Sequence, residues 1–202
     1  MDAELEQRIV KKASSLFLSH GIRAVTMDQV AVETGISKRT LYEIFEDKDT
    51  LVLRTIEYQE KEKSEVEKEV IRTCSNSFER SLKLYEMTLQ RLHQINRNYV
   101  SDLFRYHPKV VAFFEKMKER NIEKMIAETE EGMQEGYVRP ELNSRLLALL
   151  LTSQLEMLMT WDEIRNGGFS FTEVFETIVM NYARGVATPK GLALLDEHIK
   201  LR

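Results

Sequence analysis

Residues 21–51 read GIRAVTMDQVAVETGISKRTLYEIFEDKDTL and contain the signals for two short helices with a tight turn between them. Thr26 and Gln29 have the spacing of a capping box, in which the hydroxyl accepts from a backbone amide and the glutamine side chain reaches back to the start. The helix that begins there, at about 27–34, ends at Gly35, because glycine adopts the left-handed conformation of a helix stop.

A second short helix is predicted directly after this turn, at about 38–45. Ser37 is a favourable N-cap for it. Its apolar face carries Leu41, Ile44 and Phe45. Two short helices joined by four residues form a helix-turn-helix.

Cations lie at the first positions of two successive predicted helices. Lys38 and Arg39 occupy the first turn of the second short helix, and Lys48 follows Asp47, which has the features of another N-cap. The positive end of the helix dipole disfavours a cation there, whereas free amides at a helix start bind phosphate. Any one of these residues is equally well an ordinary surface residue, but the set favours phosphate binding.

The stretch from Gly21 to Leu51 resembles the DNA-binding signature of the TetR family. The shared anchors are a glycine, a capping threonine, G-[IV]-S-[KR]-x-T-[LV]-Y and then F-x-x-K-x-x-L. The resemblance implies that four residues hold the phosphate backbone, namely Thr26, Thr40, Tyr42 and Lys48. It also implies that Lys38 and Arg39 lie at the major groove.

In this family the helix that contains Lys38 and Arg39 reads the bases. Arg39 is then suited to a bidentate contact with guanine, and Glu43 is suited to accept from cytosine N4. A carboxylate that faces DNA has the alternative roles of repelling it or of orienting Arg39.

The charge balance limits how the protein can bind nucleic acid. The chain has a formal net charge of −4, and residues 1–54 contain eight Lys and Arg against nine Asp and Glu. Binding must therefore come from a local arrangement of cations. We expect modest non-specific affinity and a marked salt dependence of specific binding.

The whole chain is predicted to be all-α, because only 8 Gly and 3 Pro interrupt its 202 residues. Apolar periodicity places the remaining helices at about 4–19, 48–74, 76–96, 99–106, 108–135, 141–164 and 171–187. About nine helices result. Residues 1–50 form a three-helix DNA-binding head, and residues 51–202 form a helical ligand-binding and dimerisation body.

The predicted helix at 141–164 contains LLALLLTSQLEMLMTW and is apolar nearly all round, so we expect it to be buried on most sides. The family resemblance implies a homodimer through the helices at 141–164 and 171–187, although a monomer core would also explain their composition. A two-fold dimer would place two heads on a near-palindromic DNA operator.

The body also contains candidates for binding a small-molecule effector, which we expect to be mainly apolar and to lie among the fifth to eighth helices. The candidates are Met87, Tyr99, Phe104, Phe114, Met117, Glu156 and Trp161. Aromatic and methionine side chains at helical spacing are more often simple core. Glu156 stands out because a buried carboxylate is costly unless an arginine of a second copy, or a polar group of a ligand, pairs with it.

Several functional classes lack their signals in this sequence. It contains no G-x-G-x-x-G, P-loop or H-E-x-x-H motif, so we predict no enzyme activity, no metal and no cofactor. No apolar stretch is long enough for a membrane span, and Cys74 has no cysteine partner, which fits a reducing cytoplasm. The alternative reading is an architectural or division-linked DNA-binding protein without small-molecule input.

Overall fold

The computed structural model describes residues 3–96, 98–160 and 168–200, and these residues form ten α-helices. The helices are α1 Ala3–His20, α2 Met27–Thr34, α3 Lys38–Ile44, α4 Lys48–Thr73, α5 Ser77–Gln94, α6 Tyr99–Tyr106, α7 Pro108–Gln134, α8 Ser144–Thr160, α9 Phe171–Val186 and α10 Pro189–Lys200. The all-α prediction is confirmed. The sequence analysis missed α10, although Pro189 at its first position is typical of a helix start.

One compact unit comprises Met1–Val66 and Gln94–Lys116. Its core combines the first helices with α6 and the beginning of α7, and includes Ile9, Ala13, Phe17, Val30, Leu41, Leu51, Leu103 and Val110. The Phe17 side chain is fully buried, so its truncation to alanine would cost about 3–5 kcal/mol. This unit extends beyond residues 1–50, and the assignment of DNA binding to those residues stays a functional prediction.

A buried polar network joins three helices of this unit. The Gln59 side-chain amide on α4 donates to the Ser14 hydroxyl on α1 at 3.0 Å and to the Tyr99 hydroxyl on α6 at 2.9 Å. Leaving one of these buried groups unpaired would cost about 1–3 kcal/mol. The network therefore fixes α6 against α1 and α4.

The other compact unit comprises Glu67–His93 and Met117–Arg202. Its core cluster is formed by Phe78, Leu82, Val138, Val186, Ala187 and Leu195. Gly191 lets α10 approach the preceding connection closely, since a Cβ there would lie 2.4 Å from the Tyr137 carbonyl oxygen. Helices α8 and α9 pack together in this unit.

Helix α8 begins at Ser144 rather than at the predicted residue 141, because Asn143 caps it by accepting from the Leu146 amide at 2.9 Å. Its predicted last residues, 161–164, lie outside the described residues. The expectation that α8 is buried on most sides is wrong for the single chain. One face contributes Ala148, Leu151 and Leu158 to the interior, whereas a second face exposes Leu146, Leu149, Leu150 and Met157.

Candidate nucleic-acid interface

The start and the end of α2 have the local geometry that the sequence predicts. The Thr26 hydroxyl accepts from the Gln29 amide at 3.2 Å, and the Gln29 side chain accepts from the Thr26 amide at 2.7 Å. Gly35 ends the helix with a φ of +68°, in the left-handed region that favours glycine. These contacts fix the turn that leads into α3.

Helix α3 is held by its cap and by its apolar side. The Ser37 hydroxyl accepts from the Thr40 amide at 3.0 Å, and Leu41 and Phe45 are almost completely buried. Because these residues fix the rotation of the helix, its other face points to solvent. The exposed side chains on that face are Lys38, Arg39, Tyr42 and Glu43.

Lys38 is paired with a carboxylate on α2. Its ammonium lies 2.7 Å from the nearer Asp28 carboxylate oxygen, and this hydrogen bond raises the pKa of Lys38 above its ordinary value. Both side chains are exposed. The sequence analysis missed Asp28, because its proximity to Lys38 depends on how the turn brings α2 and α3 together.

Arg39 is paired within α3. Its Nε lies 2.8 Å from a Glu43 carboxylate oxygen, one helical turn away, and the Arg39 side chain is 88% exposed. The structure thus brings together Arg39 and Glu43, which the sequence analysis assigned to base contacts. Lys38 and Arg39 are each neutralised by a carboxylate on the surface of this unit.

Three of the predicted phosphate contacts are accessible to different degrees. Thr26 and Tyr42 are exposed, whereas Thr40 is half-buried and its hydroxyl lies 2.8 Å from the Ser37 hydroxyl. The hydroxyls of Thr26 and Thr40 already take part in helix capping, so any phosphate would use their remaining hydrogen-bonding capacity.

Lys48 differs from the other predicted phosphate contacts. Its ammonium donates to the Ile22 carbonyl oxygen at 2.6 Å and lies 6.0 Å from the centre of the Phe17 ring. Burial lowers the pKa of Lys48. Part of the hydrogen-bonding capacity of this ammonium is therefore used inside the unit.

Asp47 caps α4, as the sequence predicts. Its carboxylate accepts from the Thr50 amide at 2.6 Å and from the Lys109 ammonium at 3.0 Å. These interactions, the backbone hydrogen bond first, lower the pKa of Asp47 to about 2. These interactions therefore fix the start of α4, which follows α3 in the sequence.

The candidate effector-binding residues fall into both compact units. In the unit that contains α3, Tyr99 is buried and its hydroxyl accepts a hydrogen bond from the Gln59 side chain. In the same unit Phe104 stacks on Phe114 with 5.6 Å between ring centres. In the other unit Met87 is exposed and Met117 is half-buried. Trp161 lies outside the described residues.

Glu156 does not occupy the environment that the sequence analysis expected. Its side chain is exposed, and a carboxylate oxygen lies 2.8 Å from the Lys118 ammonium of α7. For the single chain the expectation of a buried carboxylate is wrong, because Glu156 lies on the solvent side of α8. Its ion-pair partner is a lysine of the same chain.

Metal centres and membrane spans need features that the described residues lack. Among residues 3–96, 98–160 and 168–200, no three His, Cys, Asp or Glu side chains are grouped as metal ligands. Across that part of the chain, no helix is long and apolar enough to span a membrane.

Comparison with known proteins links the N-terminal helices to a family. Residues 9–55 match the family model for bacterial regulatory proteins of the tetR family. A stretch of 55 residues is 40% identical to the HTH-type transcriptional regulator YerO of Bacillus subtilis (strain 168). This match covers 27% of the chain and 19% of that regulator, so the sequence likeness concerns a small part of both.

Solved structures share the fold over most of the chain. A transcriptional regulator of Saccharomonospora viridis in complex with choline has a TM-score of 0.71 at 18% identity, covering 93% of this chain and all of that one. The fatty acid degradation regulator FadR of Bacillus halodurans has a TM-score of 0.63 at 13% identity, covering 90% of this chain and 96% of that one. At these identities the likeness concerns the fold.

Proposed function

Because residues 9–55 match the tetR family of bacterial regulatory proteins, we propose that the chain is a regulator of this family, binds double-stranded DNA through α2 and α3 and represses transcription from the bound promoter. The observation that carries this proposal is the exposed polar face of α3, whose opposite face is locked into the core. Such a regulator acts in the bacterial cytoplasm, where it meets the chromosome.

The exposed residues of α3 have complementary roles in this proposal. Arg39 leaves Glu43 to form a bidentate contact with guanine, and Glu43 then accepts from a neighbouring cytosine N4 or orients the arginine. Lys38 exchanges Asp28 for a group in the major groove. The proposed phosphate contacts are Thr26, Thr40, Tyr42 and Lys48, which fix the register of α3 without reading sequence.

We propose a second copy of the chain as the partner of the exposed face of α8. This face presents three leucines and a methionine, namely Leu146, Leu149, Leu150 and Met157. Apolar side chains on one face of a helix favour burial against an equally apolar surface, and an isologous pairing supplies that surface from the same sequence. Helices α8 and α9 would form the interface of a homodimer, which would bind a near-palindromic operator.

The remaining part of the proposal is a small, mainly apolar effector that binds the body and releases the protein from DNA. In the unit that contains α3 the candidate contacts are Tyr99, Phe104 and Phe114, and in the other unit they are Met87, Met117 and Glu156. Trp161, the remaining candidate, lies outside the described residues. A choline complex in a protein of the same fold supports small-molecule binding in general. Choline and decanoate are suitable first probes, with release of the full chain from its operator as the readout.

Selection of genomic DNA fragments by the purified protein, at a stated moderate salt concentration, tests the DNA-binding proposal. We expect one or a few near-palindromic sites that the Arg39→Ala variant no longer selects. Enrichment of many unrelated sites would instead indicate an architectural protein. No enrichment at any salt concentration, with or without the two probes, would contradict the proposal.

A further inference from the structure

An exposed tyrosine on α6 is flanked by two arginines from different parts of the chain. The guanidinium carbon of Arg23, which precedes α2, lies 4.9 Å from the centre of the Tyr106 ring. The guanidinium carbon of Arg105 lies 5.6 Å from the same centre. Tyr106 is 44% exposed, and both arginines are exposed, so this cluster is accessible from solvent.

The two arginines differ from the cations of α3 because no carboxylate among the described residues pairs with their guanidinium groups. Lys38 and Arg39 each form an ion pair, whereas neither guanidinium of the cluster does so with any described residue. The buried Asp102 carboxylate accepts from the backbone amide of Arg23 at 3.3 Å and so fixes the backbone here. Two cations around one ring repel each other, and an anion placed against them would relieve that repulsion.

Arg23 lies close to two of the residues proposed to hold DNA phosphates. The neighbouring Ile22 carbonyl oxygen accepts from the Lys48 ammonium at 2.6 Å, and Thr26, three residues further on, caps α2. Because the Lys48 ammonium is partly buried and hydrogen-bonded, Arg23 supplies a more accessible charge beside these two residues. An aromatic ring that holds a guanidinium also reduces the entropy lost when the guanidinium binds a ligand.

We propose that Arg23 and Arg105, held by the Tyr106 ring, form a phosphate-binding site for the DNA backbone that flanks the helix-turn-helix. A guanidinium presents two parallel N–H donors to phosphate oxygens, which suits this role. The site extends the DNA-contacting surface to α6, beyond residues 1–50. It rests on the proposed DNA-binding function.

Salt dependence of binding tests the charge contribution of this site. The affinities of wild type, Arg23→Ala and Arg105→Ala are measured for the selected operator and for an unrelated duplex over a series of salt concentrations. Loss of one phosphate contact lowers the slope of log affinity against log salt by about 0.9 per bound chain. We expect Arg23→Ala to show this change and to weaken both duplexes equally, by roughly tenfold, with a smaller effect for Arg105→Ala.

Lys116→Ala is the matched control, because Lys116 is an exposed cation of the same compact unit. We expect its slope to equal that of wild type. If Arg23→Ala and Lys116→Ala have the same slope while wild type still selects its operator, the phosphate site is refuted and the proposed function stands. If wild type shows no salt-dependent DNA binding, both are refuted.

Two substitutions of Tyr106 separate positioning from charge. Tyr106→Phe keeps the ring and should retain the wild-type slope and affinity. Tyr106→Leu removes the ring while both arginines remain, and we expect an affinity loss of roughly threefold for both duplexes. Equal affinities for the two variants, with unfolding temperatures equal to wild type, would show that the ring does not position the site.

Discussion

Helices α3 and α8 both expose one face in the single chain, but the chemistry of the two faces differs. The α3 face carries charged groups that already have partners, Lys38 with Asp28 and Arg39 with Glu43. The α8 face carries apolar groups such as Leu146 and Leu150, which no part of the described chain covers. The two faces therefore need different partners.

The energetics of the two faces differ accordingly. Exposed ion pairs add little net stability, so those on α3 can be exchanged for contacts with DNA at small cost. Apolar area on α8 gains roughly 25 cal/mol for each Å² that a partner removes from water. We therefore expect changes on α8 to act on association, and changes on α3 to act on DNA binding alone.

The largest effect is expected from Leu150→Glu on α8. A carboxylate buried in an apolar interface costs several kcal/mol, and a symmetric dimer would bury two of them. The dimer dissociation constant should rise by at least roughly 1,000-fold. Operator affinity should fall by more than roughly 100-fold, because the two heads no longer bind together. Analytical ultracentrifugation measures the first quantity and fluorescence anisotropy the second.

Ile71→Glu is the control for this substitution. Ile71 lies on α4 and is 49% exposed, against 53% for Leu150, so the two changes introduce the same charge at similarly exposed apolar positions. We expect Ile71→Glu to leave both the oligomeric state and operator binding unchanged. A monomeric wild type, or a dimeric Leu150→Glu variant, would contradict the proposed interface.

The next largest effect is expected from Arg39→Ala on α3. Loss of a bidentate base contact costs about 1–3 kcal/mol of discrimination for each half-site. Operator affinity should fall by roughly 10- to 100-fold per half-site while the dimer persists. Arg72→Ala provides the comparison, since Arg72 is also an exposed arginine that pairs with a glutamate of its own helix, Glu69, but lies on α4. An equal loss of affinity in the two variants would argue against base reading by Arg39.

The features of α2 and α3 that the sequence predicted correctly are local. The Thr26 capping box, the left-handed Gly35 and the Ser37 cap each involve residues no more than a few positions apart. Their geometry follows from backbone chemistry that any such stretch shares. The turn and the exposed face of α3 could therefore be predicted without knowledge of the rest of the chain.

The features that the sequence analysis missed depend on packing between distant residues. Arg23 and Tyr106 come together only because α6 joins the core of the first unit. Glu156 was expected to be buried because an apolar run suggests an interior helix, but this inference does not say which side of α8 faces the chain's own core. The composition of α8 alone could not separate burial within one chain from burial against a second copy.

A smaller effect is expected when the carboxylates on α2 and α3 are neutralised. Asp28→Asn and Glu43→Gln each free a cation and remove a charge that repels phosphate. Affinity for an unrelated duplex should rise by roughly threefold, and the salt dependence should steepen. Specificity, measured as the ratio of operator to non-specific affinity, should fall.

Glu119→Gln is the control for the two neutralised carboxylates, since it removes an exposed, paired carboxylate from α7. We expect no change in its affinity for either duplex. Unchanged non-specific binding in both Asp28→Asn and Glu43→Gln would mean that these carboxylates do not regulate DNA binding.

The smallest effect is expected in the pH dependence of stability, which should distinguish the charged cap of α4, Asp47, from the neutral cap of α3, Ser37. Because the pKa of Asp47 is lowered from 3.8 to about 2, its contribution to stability is complete above pH 4 and is lost as the pH falls towards 2. Solvent screens this exposed carboxylate, so we expect less than about 1 kcal/mol in the free energy of unfolding. Urea unfolding at several pH values should show this loss in wild type and in Ser37→Ala, but not in Asp47→Ser, which keeps a neutral cap. Titration of the Asp47 carboxyl near pH 4 by NMR would contradict the prediction that its hydrogen bonds to Thr50 and Lys109 lower its pKa.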